Sequence, residues 1–168
     1  LRTILNKLNI NGEIMLIKDI MKKPIVVYED NDLIDVIRLF RKNKISGAPV
    51  LNKDGKLVGI ISESDIVKTI VTHNEDLNLI LPSPLDLIEL PLKTALKIEE
   101  FMEDLKNALK TKVRDVMTRK VIVAKPDMTI NDAAKLMVKN NIKRLPVVDD
   151  EGNLIGIVTR GDLIEALI

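Results

Sequence analysis

The chain has 168 residues, of which 46% are hydrophobic and 30% charged, a globular composition sufficient for one ordinary domain or two small ones sharing a core. A formal net charge of +1 supplies no long-range field for nucleic acid or an anionic membrane, and 2% aromatic residues with no tryptophan leave little on which to stack single-stranded bases. Cysteine is absent and His73 is the one histidine, which excludes disulfides, thiolate nucleophiles and cysteine–zinc sites. No run of about 18 apolar residues is present, and Leu1 to Ile14 lack the features of a secretory signal. A cytoplasmic location without a membrane or nucleic-acid partner is therefore expected.

Residues 1–16 follow no pattern and are read as an N-terminal extension. Asp19-Ile20-Met21 opens the first organised unit. Ile25-Val26-Val27 is a short β-branched run, read as a strand. A helix follows, with Leu33, Val36, Ile37 and Phe40 at helical spacing and Asp32 as its capping side chain. Pro49-Val50-Leu51 and Leu57 to Ile61 read as a hairpin around the turn Asn52 to Lys56, where Gly55 gives the permissive backbone. A second helix starts at Ser62.

Residues 73–112 break this grammar. Pro82, Pro84 and Pro91 punctuate leucine-rich sequence, and from Leu92 a helix is predicted, with an apolar stripe of Ile98, Phe101, Met102, Leu105, Ala108 and Leu109. His73, Glu75 and Asp76 have no companion histidine and are not read as a metal site. At Asp115-Val116-Met117 the grammar restarts. Val121-Ile122-Val123 is the strand, Thr129 caps a helix carrying Ile130, Ala133, Ala134 and Met137, and Pro146 to Val148 pairs with Leu154 to Val158 around Gly152. The last helix begins at Thr159.

The two organised units are copies of one another. Residues 45–67, ISGAPVLNKDGKLVGIISESDIV, align with residues 142–164, IKRLPVVDDEGNLIGIVTRGDLI, at a constant offset of 97. Each copy reads βαββα over about 50 residues, too few to bury a good core alone. The predicted fold class is α+β, with two βαββα units packed with pseudo-twofold symmetry and a helical connector inserted between them. The organisation is 1–16 extension, 17–72 first unit, 73–112 connector, 113–168 second unit.

The pattern Ile-x-x-x-Pro-Val, a turn with Gly, then Gly-Ile-x-Ser/Thr-x-x-Asp resembles the cystathionine-β-synthase (CBS) domain, and Asp19/Met21 and Asp115/Met117 fit it too. The resemblance covers 17–72 and 113–168. It implies a tandem pair, a Bateman module, with two clefts for AMP, ADP, ATP, S-adenosylmethionine or methylthioadenosine as regulatory ligand. It implies no required cofactor, no catalysis, a homodimer and a regulated protein whose identity the sequence does not give.

By their own chemistry, Thr159-Arg160-Gly161-Asp162 and Ser62-Glu63-Ser64-Asp65 are capping boxes at helix starts. The resemblance implies a second duty: Thr159 and Ser62 touch phosphate, and Asp162 and Asp65 accept hydrogen bonds from ribose hydroxyls. It likewise implies that Lys143 and Arg144 contact phosphate, where the first copy has the uncharged Ser46 and Gly47. The adenine walls are expected from Ile25, Ile45 and Ala48, or from Val121, Ile142 and Leu145, with Ile60 and Ile157 on the strands leading into the two boxes. One cleft is expected to combine Ile45, Ser46 and Ala48 with Lys143, Arg144, Thr159 and Asp162.

The competing reading is a protein-interaction or dimerisation module whose clefts stay empty, with the connector helix carrying the function. An enzyme has little support. No Gly-x-x-x-x-Gly-Lys-Ser/Thr loop, carboxylate cluster or nucleophile–base pair is present.

Overall fold

Two short helices at equivalent places in the copies, each anchored by one buried residue (Ile17 and Val113), organise the fold. In the computed structural model, which describes residues 12, 14–72 and 90–166, they are α1 (Ile17–Ile20) and α5 (Val113–Val116). His73, Glu75, Asp76, Pro82 and Pro84 lie outside the described residues. Between α1 and α5 come β1 (Val27–Tyr28), α2 (Leu33–Asn43), β2 (Gly47–Leu51), β3 (Leu57–Ser62), α3 (Glu63–Thr72) and α4 (Leu90–Leu109). After α5 come α6 (Ile130–Lys139), β4 (Arg144–Val148), β5 (Leu154–Thr159) and α7 (Arg160–Glu165). One sheet runs β1-β2-β3 and the other is the hairpin β4-β5, an α+β architecture.

The chain divides into one compact unit formed by residues up to Val27, Ala48–Ile60 and residues from Thr118 onward, and a second formed by Tyr28–Gly47 and Ile61–Met117. Each unit therefore combines segments of both copies, including the leading helix of one beside residues of the other. In the first unit, α1 joins the second copy: the Ile17 amide donates to the Met128 carbonyl at 2.8 Å, and the Lys18 amide to that of Pro126 at 2.9 Å. In the second, α5 joins the first copy: the Val113 and Arg114 amides donate to the Asn31 and Glu29 carbonyls, both at 3.0 Å. Ion pairs reinforce that seat, Arg114 to Asp30 at 2.6 Å and Lys112 to Asp32 at 2.7 Å.

This exchange corrects one expected cap. Asp32 makes no side-chain cap bond to α2; its carboxylate turns to Lys112 instead. Its counterpart Thr129 does cap α6, accepting from the Asp132 amide. Two expected strands are also shorter than their β-branched runs. Ile25 and Val26 lie outside β1, and Val121 to Val123 form no strand. There the only ladder contact among the described residues is a parallel bridge of Ala124 to Val147, since the chain turns at once from Lys125 to Met128.

The core of the first unit collects Ile17, Ala124, Ile130, Ala133, Met137, Leu145, Val147, Val158 and Leu163, so α1 from the first copy is buried among residues of the second. The helical stripes predicted from spacing hold: Leu33, Val36 and Phe40 are buried on α2, and Ile130, Ala133 and Met137 on α6. Both helices stop in one way. Lys44 and Asn141 adopt left-handed backbone, with φ of 53° and 51°, and the next amides, of Ile45 and Ile142, close back on Phe40 and Met137. That sharp stop aims the chain into the residues of the candidate site.

Gly156 shows how closely the exchanged segment packs. A Cβ there would stand 2.6 Å from the Met21 sulfur and 3.1 Å from its Cβ. Gly156→Val should therefore destabilise the protein by about 1–3 kcal/mol. In a double-mutant cycle with Met21→Ala, urea denaturation should show a coupling of roughly 0.5–3 kcal/mol; strict additivity would mean that the two residues do not meet.

Candidate functional site

Strand β5 runs into α7 through a capping box that the sequence foretold. The Thr159 hydroxyl accepts from the Asp162 amide at 3.3 Å, and Asp162 Oδ2 accepts from the Thr159 amide at 2.7 Å and from its hydroxyl at 2.6 Å. Asp162 is only 7% exposed, a buried carboxylate that needs compensation.

The compensating charge was not foreseen. Lys22, just after Met21, exchanges backbone hydrogen bonds with Ile157 at 2.9 Å in each direction. This pairing on β5 fixes where its side chain starts, and its ammonium reaches Asp162 Oδ1 at 2.5 Å. Burial pushes the Asp162 carboxyl up, but hydrogen bonds from Lys22 and Thr159 outweigh it and hold the group below the ordinary carboxylate range. The hydrogen bond to Asp162, helped by its charge, holds the Lys22 ammonium above its ordinary value.

The other expected residues of this copy gather at the same end of the hairpin. Arg144 is paired with Thr159 across the ladder, and the Lys143 carbonyl accepts the Arg160 amide at 3.0 Å. Arg144 is half-buried and Lys143 exposed. Arg160, also missed in sequence, is bonded through Nε to the Ile142 carbonyl at 3.0 Å. Lys22, Lys143, Arg144 and Arg160 thus belong to the segments that converge on the Thr159–Asp162 box. Ile142, Ile157 and Val121 are half-buried, but Leu145 is fully buried in the core and turns no side-chain surface outward.

The first copy repeats the backbone and not the charge. Asp65 Oδ2 accepts from the Ser62 amide at 2.8 Å and its hydroxyl at 2.7 Å, and the Glu63 amide donates to the Ser46 carbonyl at 3.1 Å, all within the second unit. At the positions of Lys143, Arg144 and Arg160 stand Ser46, Gly47 and Glu63. Lys22 is matched by Thr118, which exchanges backbone hydrogen bonds with Ile60 at 2.9 and 3.0 Å within the first unit. Ile45 and Ile25 are half-buried, and Ala48 is fully buried. Ile45 and Ser46 fall in the second unit, Ala48 in the first.

Among the described residues no cluster of His, Cys, Asp and Glu could hold a metal ion, and no helix is long and apolar enough to cross a membrane.

Comparison with known proteins matches residues 17–72 and 113–168 to the CBS domain. A protein of Methanocaldococcus jannaschii, MJ1426, is 99% identical over the full length of both chains. The solved structure of CBSX2 in complex with AMP, a CBS-pair protein of Arabidopsis thaliana, shares 27% identity at a TM-score of 0.63, covering 90% of this chain and 94% of that one. The CBS domain pair of protein MJ0100, in complex with 5′-methylthioadenosine and S-adenosyl-L-methionine, shares 28% identity at a TM-score of 0.65 over 90% and 94% of the two chains.

The Asp162 network makes stability depend on pH in a defined direction. Its folded pKa lies below the unfolded value of about 3.9, so the stabilisation is complete above that value and disappears as pH falls through the folded one. Asp162→Asn should cost about 1.5–3 kcal/mol near neutrality. Urea denaturation at a series of pH values should show the gap to wild type closing below about pH 4; a constant gap would separate the effect from the carboxylate's charge.

Proposed function

Because the chain belongs to the CBS-domain family, with two copies in tandem, we propose that it is a regulatory, non-catalytic module that senses an adenosine-containing ligand. The observation that carries this reading is a buried carboxylate beside a hydroxyl, paired with Lys22, at the end of a hairpin whose flanking segments bring Lys143, Arg144 and Arg160, where the equivalent positions of the other copy carry no cations. In this reading Asp162 accepts ribose hydroxyls, Thr159, Lys143 and Arg144 meet phosphate, and the half-buried Ile142, Ile157 and Val121 offer apolar surface to adenine. The ligand class is supported by relatives that bind AMP, or methylthioadenosine and S-adenosylmethionine. The second copy is read as the phosphate site, for AMP, ADP or ATP. The Ser62–Asp65 box, whose copy has Ser46, Gly47 and Glu63 at the positions of Lys143, Arg144 and Arg160, is read as favouring an uncharged or sulfonium-bearing adenosyl compound. Ligand would bias the arrangement of a cytoplasmic protein that a regulated partner reads.

Thermal unfolding with AMP, ADP, ATP, S-adenosylmethionine, methylthioadenosine and adenosine, and GTP as control, tests the class. A ligand at about 100 times its Kd should raise Tm by roughly 5–10 °C. Titration calorimetry then separates the roles. Asp162→Ala should weaken AMP and adenosine alike, by about 10–150-fold, whereas Arg144→Ala should weaken AMP and spare adenosine. Retention of AMP affinity in both variants would reject the site.

The interaction or dimerisation reading has one observation in its favour. On α4, Ala108 is buried and Phe101 and Leu105 half-buried, yet Ile98 and Met102 remain 56% and 45% exposed. Under that reading Ile98→Glu with Met102→Glu changes the oligomeric state in sedimentation equilibrium, and none of the ligands moves Tm.

A further inference from the structure

Asp162 has little capacity left for a ligand. A carboxylate oxygen accepts about two hydrogen bonds. Oδ2 already takes two, from the Thr159 amide and hydroxyl, and Oδ1 takes the Lys22 ammonium. One acceptor position remains on Oδ1, and a vicinal diol brings two donors. Full diol binding at Asp162 therefore requires Lys22 to leave.

Lys22 is built to leave. Its backbone is fixed by the reciprocal bonds to Ile157, but the side chain is 66% exposed on a flexible four-carbon stem. Its ammonium would then need a new anion. Glu165 is one candidate, 4.0 Å from the ammonium but 81% exposed, where a pair gains little. A ligand phosphate near Thr159 is the other, and Lys22 lies across β5 from Arg144, so the two cations can approach it from opposite sides of that strand.

We propose that Lys22 is a transferable counter-ion and a specificity-determining residue: it neutralises Asp162 in the empty site and passes to the phosphate when a ribose diol takes its place. Ligands bearing phosphate repay the displacement; those without it do not. The equivalent position, Thr118 of the second copy, pairs with Ile60 on β3 and carries no charge to transfer. This inference rests on the proposed ribose contact at Asp162 and adds to it the discrimination between phosphorylated and neutral ligands.

The test is titration of AMP and adenosine against wild type, Lys22→Met, Lys22→Gln and Lys22→Arg. Wild type should prefer AMP. In both neutral variants adenosine should bind about three- to tenfold more tightly and AMP should not, so that the preference narrows by roughly tenfold, while Lys22→Arg retains it. If the two ligands shift by one factor, or neither shifts, Lys22 is a static ion pair or moves to Glu165, and the transfer is wrong although the Asp162 site stands. If wild type binds neither ligand, the site reading fails and the transfer with it.

Discussion

Lys22 and Ile157 exchange their backbone amides and carbonyls at 2.9 Å, and Thr118 and Ile60 do so at 2.9 and 3.0 Å. Both pairings lie within the first compact unit, where they tie a segment of one copy to a strand of the other, each copy being too small for a good core alone. Once Lys22 is pinned on β5, Met21 must fill the space that the missing side chain of Gly156 leaves, and Ile17 must enter the core beside Leu145 and Val158. The Lys22 side chain then starts close enough to Asp162 to neutralise it. Fold and site thus share one short segment, and a change that loosens it would be felt in both.

The copies keep their backbone hydrogen bonds and diverge in charge. The amides of Glu63 and Arg160 find the carbonyls of Ser46 and Lys143, and the Ser62–Asp65 and Thr159–Asp162 pairs differ in length by about 0.1 Å. Electrostatics make the distinction, because Lys22, Lys143, Arg144 and Arg160 face Thr118, Ser46, Gly47 and Glu63 in the alignment. A scaffold held by backbone bonds tolerates that divergence, since none of the bonds that fix it depends on those side chains. Under the proposed function, such a division gives two adenosyl sites of different preference on one frame.

Much of this was legible in the sequence for a physical reason: periodicity and turn chemistry are local. The stripes of α2 and α6, the positive-φ turns at Gly55 and Gly152 and the Thr159–Asp162 box all involve residues within about one or two turns of each other. What was lost is non-local. The exchange of α1 and α5 places residues roughly 80–110 positions apart in contact, as with Asn31 and Val113 or Ile17 and Met128, and spacing carries no sign of it. For that reason spacing reads Asp32 as a cap although its partner is Lys112, and gives no sign of Lys22 beside Asp162. Arg160 could have been found, because aligning it with Glu63 already shows a reversal of charge.

A crystal structure of the full chain grown with AMP tests the central claim most directly. The account predicts both ribose hydroxyls within about 2.6–3.2 Å of Asp162 Oδ1, the phosphate beside Thr159 and Arg144, and the Lys22 ammonium moved from Asp162 to the phosphate. AMP bound elsewhere, or bound with its ribose away from an Asp162 that still holds Lys22, would contradict it.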